Sequence, residues 1–272
     1  YLRTGAAYDQ LLTLDVTGNG YADRAHVAFG TDFTTAFDSE FDARKFNFEY
    51  YWIDLQEAAQ RANREQGKID RSVFIKRDVI NVYPDTLAWI HDFTYSFNDP
   101  ITNMYFWHPS YDEYPVVGVN WKQARAFCIW RSQLLNSYLM SNGESMVQDF
   151  RLPTESEWEY AARGGMDLSP YPWGGPYIRN SRGCFLGNFK PMRGNYLDDG
   201  GFYAVSATSY WPNDYGLYCM AGNVSEWTSN AYDESAYNFQ HDLNPDYAYD
   251  AKESDPPALK RKVIRGGSWK DV

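Results

Sequence analysis

The sequence predicts a compact, loop-rich fold that is packed by aromatic rings rather than by long helices. Aromatic residues make up 18% of the 272 residues, and the chain contains 20 Gly and 13 Pro. Such a composition favours turns and ring packing over long regular elements. Apolar residues account for 44% of the chain, which is enough for a buried core in one large domain or two small ones.

The charge of the chain restricts its partners. The formal net charge is −11, which disfavours a nucleic-acid or anionic-membrane surface and favours basic partners or cations. No apolar run approaches the roughly 20 residues that a membrane-spanning helix needs. The spacing of Cys128, Cys184 and Cys219 matches no metal-binding pattern, so we interpret the cysteines as ordinary thiols.

The first elements along the chain are short. In "LLTLDVTGNGYADRAH" the oxygen-bearing residues follow the order of a calcium loop, but His26 stands in place of the final Glu. We therefore interpret this stretch as a glycine-rich turn. Residues 46–66 look helical in their second half. An alternating aromatic run over 81–100 predicts a strand, and 114–120 predicts another short, buried strand.

The longest predicted helix follows Asn120, which can cap it. Its apolar residues recur at helical spacing and include Cys128, which we interpret as a core thiol. The predicted apolar face consists of Ala124, Phe127, Cys128, Trp130, Leu134, Leu135 and Tyr138.

A second, shorter helix is predicted within 151–165. Thr154 followed three residues later by Glu157 is the pattern of a capping box. Gly164 and Gly165 are expected to end the helix. Most of the chain after Gly165 is expected to form loops, and the acidic, polar stretch 231–260 is expected to be an exposed insertion.

Several motifs in fixed order resemble a known family. From about residue 115 onward the chain contains "VNWKQARAFCIW", "RLPTESEWEYAARGG", "YPWGG", "GNF", "NDYGLYCMAGNVSEW" and "VIRGGSW". This series resembles the formylglycine-generating-enzyme-like (sulfatase-modifying factor) family. The resemblance implies an α+β fold that is C-type-lectin-like and has little regular secondary structure.

A narrower resemblance covers most of the chain. "EYYWIDLQEAA", "NVYPDTLAWIHDFTYSFNDPITNMYFWHPSYDEYPVVGVNW" and "RKVIRGGSWKDV" are similar to the GldK/PorK lipoproteins of the type IX secretion and gliding machinery. This implies a periplasmic ring built by self-association with a GldN/PorN-like partner. It also implies localisation at the periplasmic face of the outer membrane, through a lipid anchor that this chain lacks.

The resemblance also implies a domain organisation. We expect residues 1–272 to be a fragment of one formylglycine-generating-enzyme-like domain, trimmed at both ends. Within it, 31–113 would be a family-specific insertion and 114–272 would contain the core motifs.

One position decides between an enzyme and a non-catalytic relative. The resemblance implies that an active family member holds copper with two thiolates, the first of them two residues after "RGGSW". Asp271 occupies that position here, beside Lys270. A carboxylate is a hard ligand and does not replace a thiolate for Cu(I). We therefore expect no copper and no oxidase activity.

The resemblance further implies structural calcium. One site would use Asn188 and Phe189 of "GNF", together with Asp199 and a following carbonyl in "LDDGGF". The extra glycine makes Asp198 an alternative to Asp199. A calcium ion there would stiffen loops that have few ladder hydrogen bonds.

A second calcium site would lie in "CMAGNVSEW". It would use the main-chain carbonyls of Gly222 and Val224 and the carboxylate of Glu226. Cys219 stands where the family has an Asn ligand, and a thiol is a poor ligand for calcium. The alternative is that Asn188 and Glu226 only hydrogen-bond loop backbone.

Three functions remain open from the sequence. The first is a non-catalytic ring component, for which aromatics such as those in "MYFWHPSY" would be either interface anchors or core. The second is a copper-dependent formylglycine-generating oxidase. The third is a glycan-binding module that contacts peptidoglycan. We favour the first function and expect "MYFWHPSY" to be core.

Overall fold

The computed structural model describes residues 43–65, 70–96, 98–190, 195, 197–198, 200–243 and 245–271. The calcium-loop-like stretch at the N-terminus lies outside these residues. In chain order, the helices and strands are β1 (Asn47–Ile53), α1 (Leu55–Ala59), α2 (Arg61–Glu65), β2 (Ile75–Asn81), α3 (Ala88–Asp92), α4 (Pro100–Met104), α5 (Trp121–Ser141), α6 (Glu155–Arg163), β3 (Glu226–Ala231), α7 (Ala236–Phe239) and β4 (Lys262–Arg265).

The described residues form two compact units. One contains Asp85–Trp121 and the residues from Arg151 onward, and the other contains the residues up to Pro84 together with Lys122–Phe150. Among the described helices, none has the length and apolar character to cross a membrane. Mixed helix and strand with little regular structure agrees with the predicted fold class, and its C-type-lectin-like part stays a prediction. The division into an insertion at 31–113 and a core from 114 also stays a prediction.

The unit that contains β1 and β2 is organised around a two-stranded antiparallel ribbon. The strands pair from Asn47 with Asn81 to Ile53 with Ile75. Side chains alternate between a covered and an exposed face, as the two-residue period of a strand requires. On the covered face, Trp52 Nε1 donates a 2.8 Å hydrogen bond to Asp78 Oδ2. The sequence analysis had not predicted this ribbon, but α1 and α2 confirm the helical second half of 46–66.

Helix α5 confirms the longest predicted helix and begins directly after Asn120. Gln123 Nε2 donates to the carbonyl oxygens of Asn81 and Tyr83, which attaches the helix to the end of β2. The predicted apolar face is only half-buried, and Phe127 is exposed. Cys128 is itself half-buried rather than fully in the core. Burial raises the pKa of its thiol, which disfavours the reactive thiolate.

An aromatic cluster forms the core of the other unit. Trp89 is buried and its ring contacts Phe93, Tyr105, Tyr203 and Trp269 at centroid distances of 5.1–6.5 Å. Such edge-to-face and offset contacts stabilise the cluster beyond simple area burial. The predicted packing by rings is therefore confirmed.

The strand predicted over 81–100 is wrong. Helix α3 lies there, and α4 begins at Pro100. Trp89 and Phe93 are four residues apart, so helical geometry places both rings on one face toward the core. Tyr95, which the alternating pattern would also have buried, is 98% exposed. Burying the tryptophan and the phenylalanine on one face decides the local structure here.

The short strand predicted over 114–120 is also wrong, because this segment forms no strand in the described structure. Gly118 has a φ of +71°, and its carbonyl accepts a 2.8 Å hydrogen bond from Asp85 N. The stretch "MYFWHPSY" is mixed. Tyr105 is buried in the aromatic cluster, whereas Trp107 is 49% exposed.

Helix α6 confirms the predicted capping box. Thr154 Oγ1 accepts from Glu157 N at 3.2 Å, and Glu157 Oε2 accepts from Thr154 N at 2.9 Å. Gly164 ends the helix in the left-handed conformation. The buried Trp158 packs against Ala162 and Met220.

Strands β3 and β4 form the second antiparallel pair, with Glu226 opposite Arg265. The predicted exposed insertion 231–260 is exposed only in part. Leu243 is exposed, but Ala231 at the end of β3 and Ala236 in α7 are buried. The main-chain N of Ala231 donates to Tyr247 O, which binds this segment to the end of the strand.

The capping box predicts a pH dependence of stability. The bidentate hydrogen bonds of Arg151 and the Thr154 amide lower the pKa of Glu157 from 4.5 to about 2. Its contribution is therefore present above about pH 4.5 and lost as the pH falls toward 2. Because the side chain is half exposed, we expect Glu157→Gln to lower the free energy of unfolding by only about 1 kcal/mol at pH 7.

Urea denaturation of the wild type and the variant at pH 7 and pH 3 measures this effect. The difference between the two proteins should shrink at pH 3. Glu144→Gln, at an exposed carboxylate, is the matched control and should change little at either pH. An equal loss at both pH values would contradict the assignment.

Candidate functional site

Asn223 joins three segments of the chain. Its side chain is 1% exposed and its φ is +66°, an uncommon conformation that asparagine tolerates better than most residues. Its main-chain N donates to Asn188 O at 2.7 Å, and its carbonyl accepts from Trp269 N at 2.9 Å. Its side-chain amide exchanges two hydrogen bonds with the backbone of Val205, at 2.9 and 3.1 Å.

Gly222 allows this arrangement to form. A Cβ at Gly222 would lie 2.3 Å from Asn188 O, and the residue has a φ of +83°. Its N donates a 2.8 Å bond to Gly266 O. Asn188 Nδ2 donates to Tyr203 O at 2.8 Å and to Asn223 Oδ1 at 3.3 Å. We call Asn188, Gly222 and Asn223 the asparagine junction.

Glu226 is a buried carboxylate that is only half satisfied. Its Oε2 accepts a 2.7 Å bond from Trp158 Nε1, while the buried Oε1 has no hydrogen-bond partner in the described part of the chain. Burial raises the pKa of Glu226, against the opposing effect of the Trp158 bond. Burial, together with the nearby Glu226, raises the pKa of the Cys219 thiol to about 11. Cys219 is therefore protonated at neutral pH.

Asp271 closes the loop after "RGGSW". Its Oδ2 accepts from Ser268 N at 2.7 Å and from Ser268 Oγ at 2.8 Å. Its carbonyl accepts from Lys190 N at 2.8 Å. The neighbouring Lys270 Nζ pairs with the carboxylate of Asp92, at 2.8 and 3.1 Å. The Asp271 side chain thus holds a turn together.

The described residues of the two predicted calcium sites are neighbours. Asn188 and Gly222 form an isolated β-bridge, with Phe189 directly following Asn188. Val224 and Glu226 continue from Gly222 into β3. Asp199 lies outside the described residues, and its alternative Asp198 accepts a 2.9 Å hydrogen bond from the Arg179 guanidinium. The first site therefore stays a prediction.

The sequence analysis missed Asn223 and Ser268. A signal for Asn223 was available, because an asparagine that follows a glycine in a loop often adopts a positive φ. Among the residues that the structure describes, no group of three or more His, Cys, Asp or Glu could hold a metal ion.

This geometry lies within a stretch that matches a known family model. The model described as the sulfatase-modifying factor enzyme 1-like domain matches residues 27–272. The chain belongs to this family.

Curated relatives include proteins named as inactive and proteins named as active. The inactive C-alpha-formylglycine-generating enzyme 2 of Bos taurus is 36% identical over 162 residues, which is 59% of this chain and 40% of the relative. The formylglycine-generating enzyme of Bos taurus is 32% identical over 160 residues, which is 58% of this chain and 35% of the relative. The chain thus spans well under half of either relative.

A solved structure is also similar. Treponema denticola variable protein 1 is 25% identical and has a TM-score of 0.38, with 60% of this chain and 62% of that protein covered.

The residues of the second calcium site fit a cation in one respect. Calcium prefers carboxylate and carbonyl oxygens, and the unpartnered Glu226 Oε1 is a buried oxygen of that kind. Carboxylate Glu226 and the carbonyls of Gly222 and Val224 would hold the ion, which would supply the positive charge that the buried carboxylate lacks. In contrast, Asn188 already binds backbone and Asn223 through its amide nitrogen, as the loop-bracing alternative expects.

The asparagine junction predicts a severe effect at Gly222. In Gly222→Ala, an alanine must adopt the left-handed backbone conformation, and its Cβ would collide with Asn188 O. We therefore expect a loss of at least about 3 kcal/mol in the free energy of unfolding. Gly216 is the matched control, because its φ is +77° with nothing within 4 Å of its Cβ position. Gly216→Ala should cost only about 1 kcal/mol. Similar losses in urea denaturation of the two variants would contradict a tight approach at the junction.

The buried carboxylate predicts how calcium acts. If Glu226 holds calcium, calcium at a hundredfold excess over its Kd stabilises the fold by about 2.7 kcal/mol, and Glu226→Gln removes this gain. Without calcium, in EGTA, Glu226→Gln should affect stability in the opposite direction. The raised pKa of Glu226 means that its contribution is lost as the pH rises through the folded-state pKa, so Glu226→Gln should be neutral or stabilising at pH 7.

Thermal unfolding with calcium and with EGTA measures both effects. Glu234→Gln, at an exposed carboxylate, is the control and should respond to calcium as the wild type does. A wild type whose melting temperature ignores calcium would rule out the site.

Proposed function

We propose that this chain is a non-catalytic family member that serves as a structural component of a protein assembly. The observation that supports this most directly is the aspartate at position 271. Copper oxidase chemistry in the resembling enzymes needs a thiolate two residues after "RGGSW", and this chain has a carboxylate there.

The environment of Asp271 argues against metal chemistry at this position. One carboxylate oxygen already accepts two hydrogen bonds from Ser268, and a carboxylate is in any case a hard ligand that suits Cu(I) poorly. The three cysteines are free, and burial raises the pKa of Cys128 and Cys219. Raised thiol pKa values disfavour the thiolates that would bind copper.

We further propose that the assembly is the ring of the type IX secretion and gliding machinery. This step rests on the resemblance of "EYYWIDLQEAA", "NVYPDTLAWIHDFTYSFNDPITNMYFWHPSYDEYPVVGVNW" and "RKVIRGGSWKDV" to GldK/PorK. The chain would lie at the periplasmic face of the outer membrane as part of a lipoprotein. It would associate with further copies of itself and with a GldN/PorN-like partner.

An exposed face of the β1–β2 ribbon suits contact with a second copy of this chain. Tyr51, Ile53, Ile75 and Val79 lie on this ribbon face and are 51–62% exposed. The charged pair Arg77 and Glu49 on the same face is neutralised by a 2.7 Å ion pair. Two copies of a chain with a net charge of −11 repel each other, so a neutral apolar face is the surface where they can approach at least cost.

The proposed function predicts a large native particle. The full-length protein, extracted gently from outer membranes, should elute as a particle of megadalton order that contains a second, different subunit. A monomer alone would contradict the assembly proposal. Copper-dependent oxidation of a cysteine-containing sulfatase peptide by the same preparation would instead support the oxidase alternative.

The ribbon face provides a variant for this test. Ile75→Lys places an unpaired charge opposite Ile53, at one end of the face, and should shift the protein toward smaller species in mass photometry. Met140→Lys is the matched control, because Met140 is 62% exposed on α5 of the same unit. An unchanged particle in Ile75→Lys would show that another surface makes the contact.

A further inference from the structure

A groove lies on the unit that contains the aromatic cluster. Its volume is about 460 Å³, and its walls include Asp99, Tyr111, Tyr114, Phe202 and Tyr203. We call it the tyrosine groove. It is within the size range of small-molecule and side-chain pockets, and it is separate from the Asp271 turn and from Glu226.

The rings of the tyrosine groove are held in place from behind. Tyr111 and Tyr114 contact each other edge to face at 5.1 Å. Phe202 contacts Tyr203 at 4.5 Å, and Tyr203 in turn packs against Trp269 of the aromatic cluster at 5.5 Å. A ring platform that is fixed before binding loses little entropy when a ligand arrives.

Asp99 supplies the only negative charge among the described residues that line the groove. It occupies the N-cap position of α4, yet its side chain accepts no hydrogen bond from the helix. The amides of Thr102 and Asn103 bond to the Asp99 main-chain carbonyl instead. In the described part of the chain, the carboxylate has neither an ion pair nor a hydrogen-bond donor. A residue type that normally caps a helix thus keeps its carboxylate available.

The chemistry of the walls selects for a cation. No lysine, arginine or histidine is among the described lining residues, so nothing in the groove neutralises Asp99. Aromatic faces attract ammonium and guanidinium groups, more strongly when water is excluded. The net charge of the whole chain, −11, also attracts cations at long range.

We propose that the tyrosine groove binds a lysine or arginine side chain presented by an extended segment of a partner protein. The charged end pairs with Asp99 and the alkyl stem packs against the tyrosine rings. The groove is larger than one side chain requires, so neighbouring residues of the segment also fit. The inference is independent of the ring assembly, because short peptides probe it directly.

Isothermal titration calorimetry of the full chain with a blocked Gly-Gly-Arg-Gly-Gly peptide tests the proposal. The same peptide with citrulline in place of arginine keeps the shape and removes the charge. We expect the citrulline peptide to bind at least about tenfold more weakly, and the affinity of the arginine peptide to fall as salt is added. Equal affinity of the two peptides, or no binding of either, would overturn the proposal without the use of any variant.

Two variants assign the binding to the groove. Asp99→Asn should weaken the arginine peptide about tenfold or more, and Phe202→Ala, at a ring that is 43% exposed, should weaken it without unfolding the chain. Asp112→Asn is the matched control, because Asp112 is exposed and lies outside the lining. Equal effects of Asp99→Asn and Asp112→Asn would overturn the proposal. Binding of a chito-oligosaccharide that is insensitive to Asp99→Asn, with no arginine-peptide binding, would replace it with a glycan site.

Discussion

The close approach of Gly222 to Asn188 is the constraint on which the loops of this family member depend. Loops that pair with no strand must satisfy their backbone groups in some other way, because an unpaired buried amide is costly. Asn223 performs this role by bonding to Asn188, Val205 and Trp269. Its position requires that the preceding residue have no Cβ, because Asn188 O lies where that atom would be. One glycine therefore allows three loops to meet, and Trp269 carries this connection into the aromatic cluster.

The Asp271 turn is connected to the same framework. Ser268 and Asp271 flank Trp269, whose main-chain N bonds to Asn223 and whose ring stacks on Trp89 and Phe93. A cysteine at position 271 would offer only weak sulfur acceptors to Ser268 N and Oγ, whereas a carboxylate oxygen accepts both bonds at 2.7 and 2.8 Å. The carboxylate on which the proposed non-catalytic role rests thus strengthens the loop that carries it. In this chain the turn has a structural role that can be stated without any reference to catalysis.

Local rules predicted helices well wherever the signal was complete within a few residues. The capping box of Thr154 and Glu157 and the terminating Gly164 are of this kind, because every partner lies within one helix. The strand prediction over 81–100 was wrong because an alternating aromatic pattern indicates a strand only where one face is buried and the other is exposed. Here Trp89 and Phe93 both pack in the aromatic cluster, whereas Tyr95 is 98% exposed. The asparagine junction was beyond sequence reasoning for another reason: its partners are separated by 18 to 46 residues, and no local pattern specifies which carbonyl will stand beside Gly222.

Two surfaces of different character follow from how charge is distributed. Among the described residues, the ribbon face is largely apolar and its Arg77 and Glu49 charges neutralise each other. The tyrosine groove, in contrast, has the carboxylate of Asp99 among rings and no cationic residue in its described lining. On a chain with eleven excess negative charges, the first surface minimises repulsion between like copies and the second increases attraction for a basic segment. One surface is neutral and the other is negatively charged, so each suits a different kind of contact. Self-association through the groove would bring two unpaired Asp99 carboxylates toward an already acidic neighbour, and a basic segment would gain nothing at the neutral ribbon. Under the two proposals, the charges separate contact between copies from contact with a different partner.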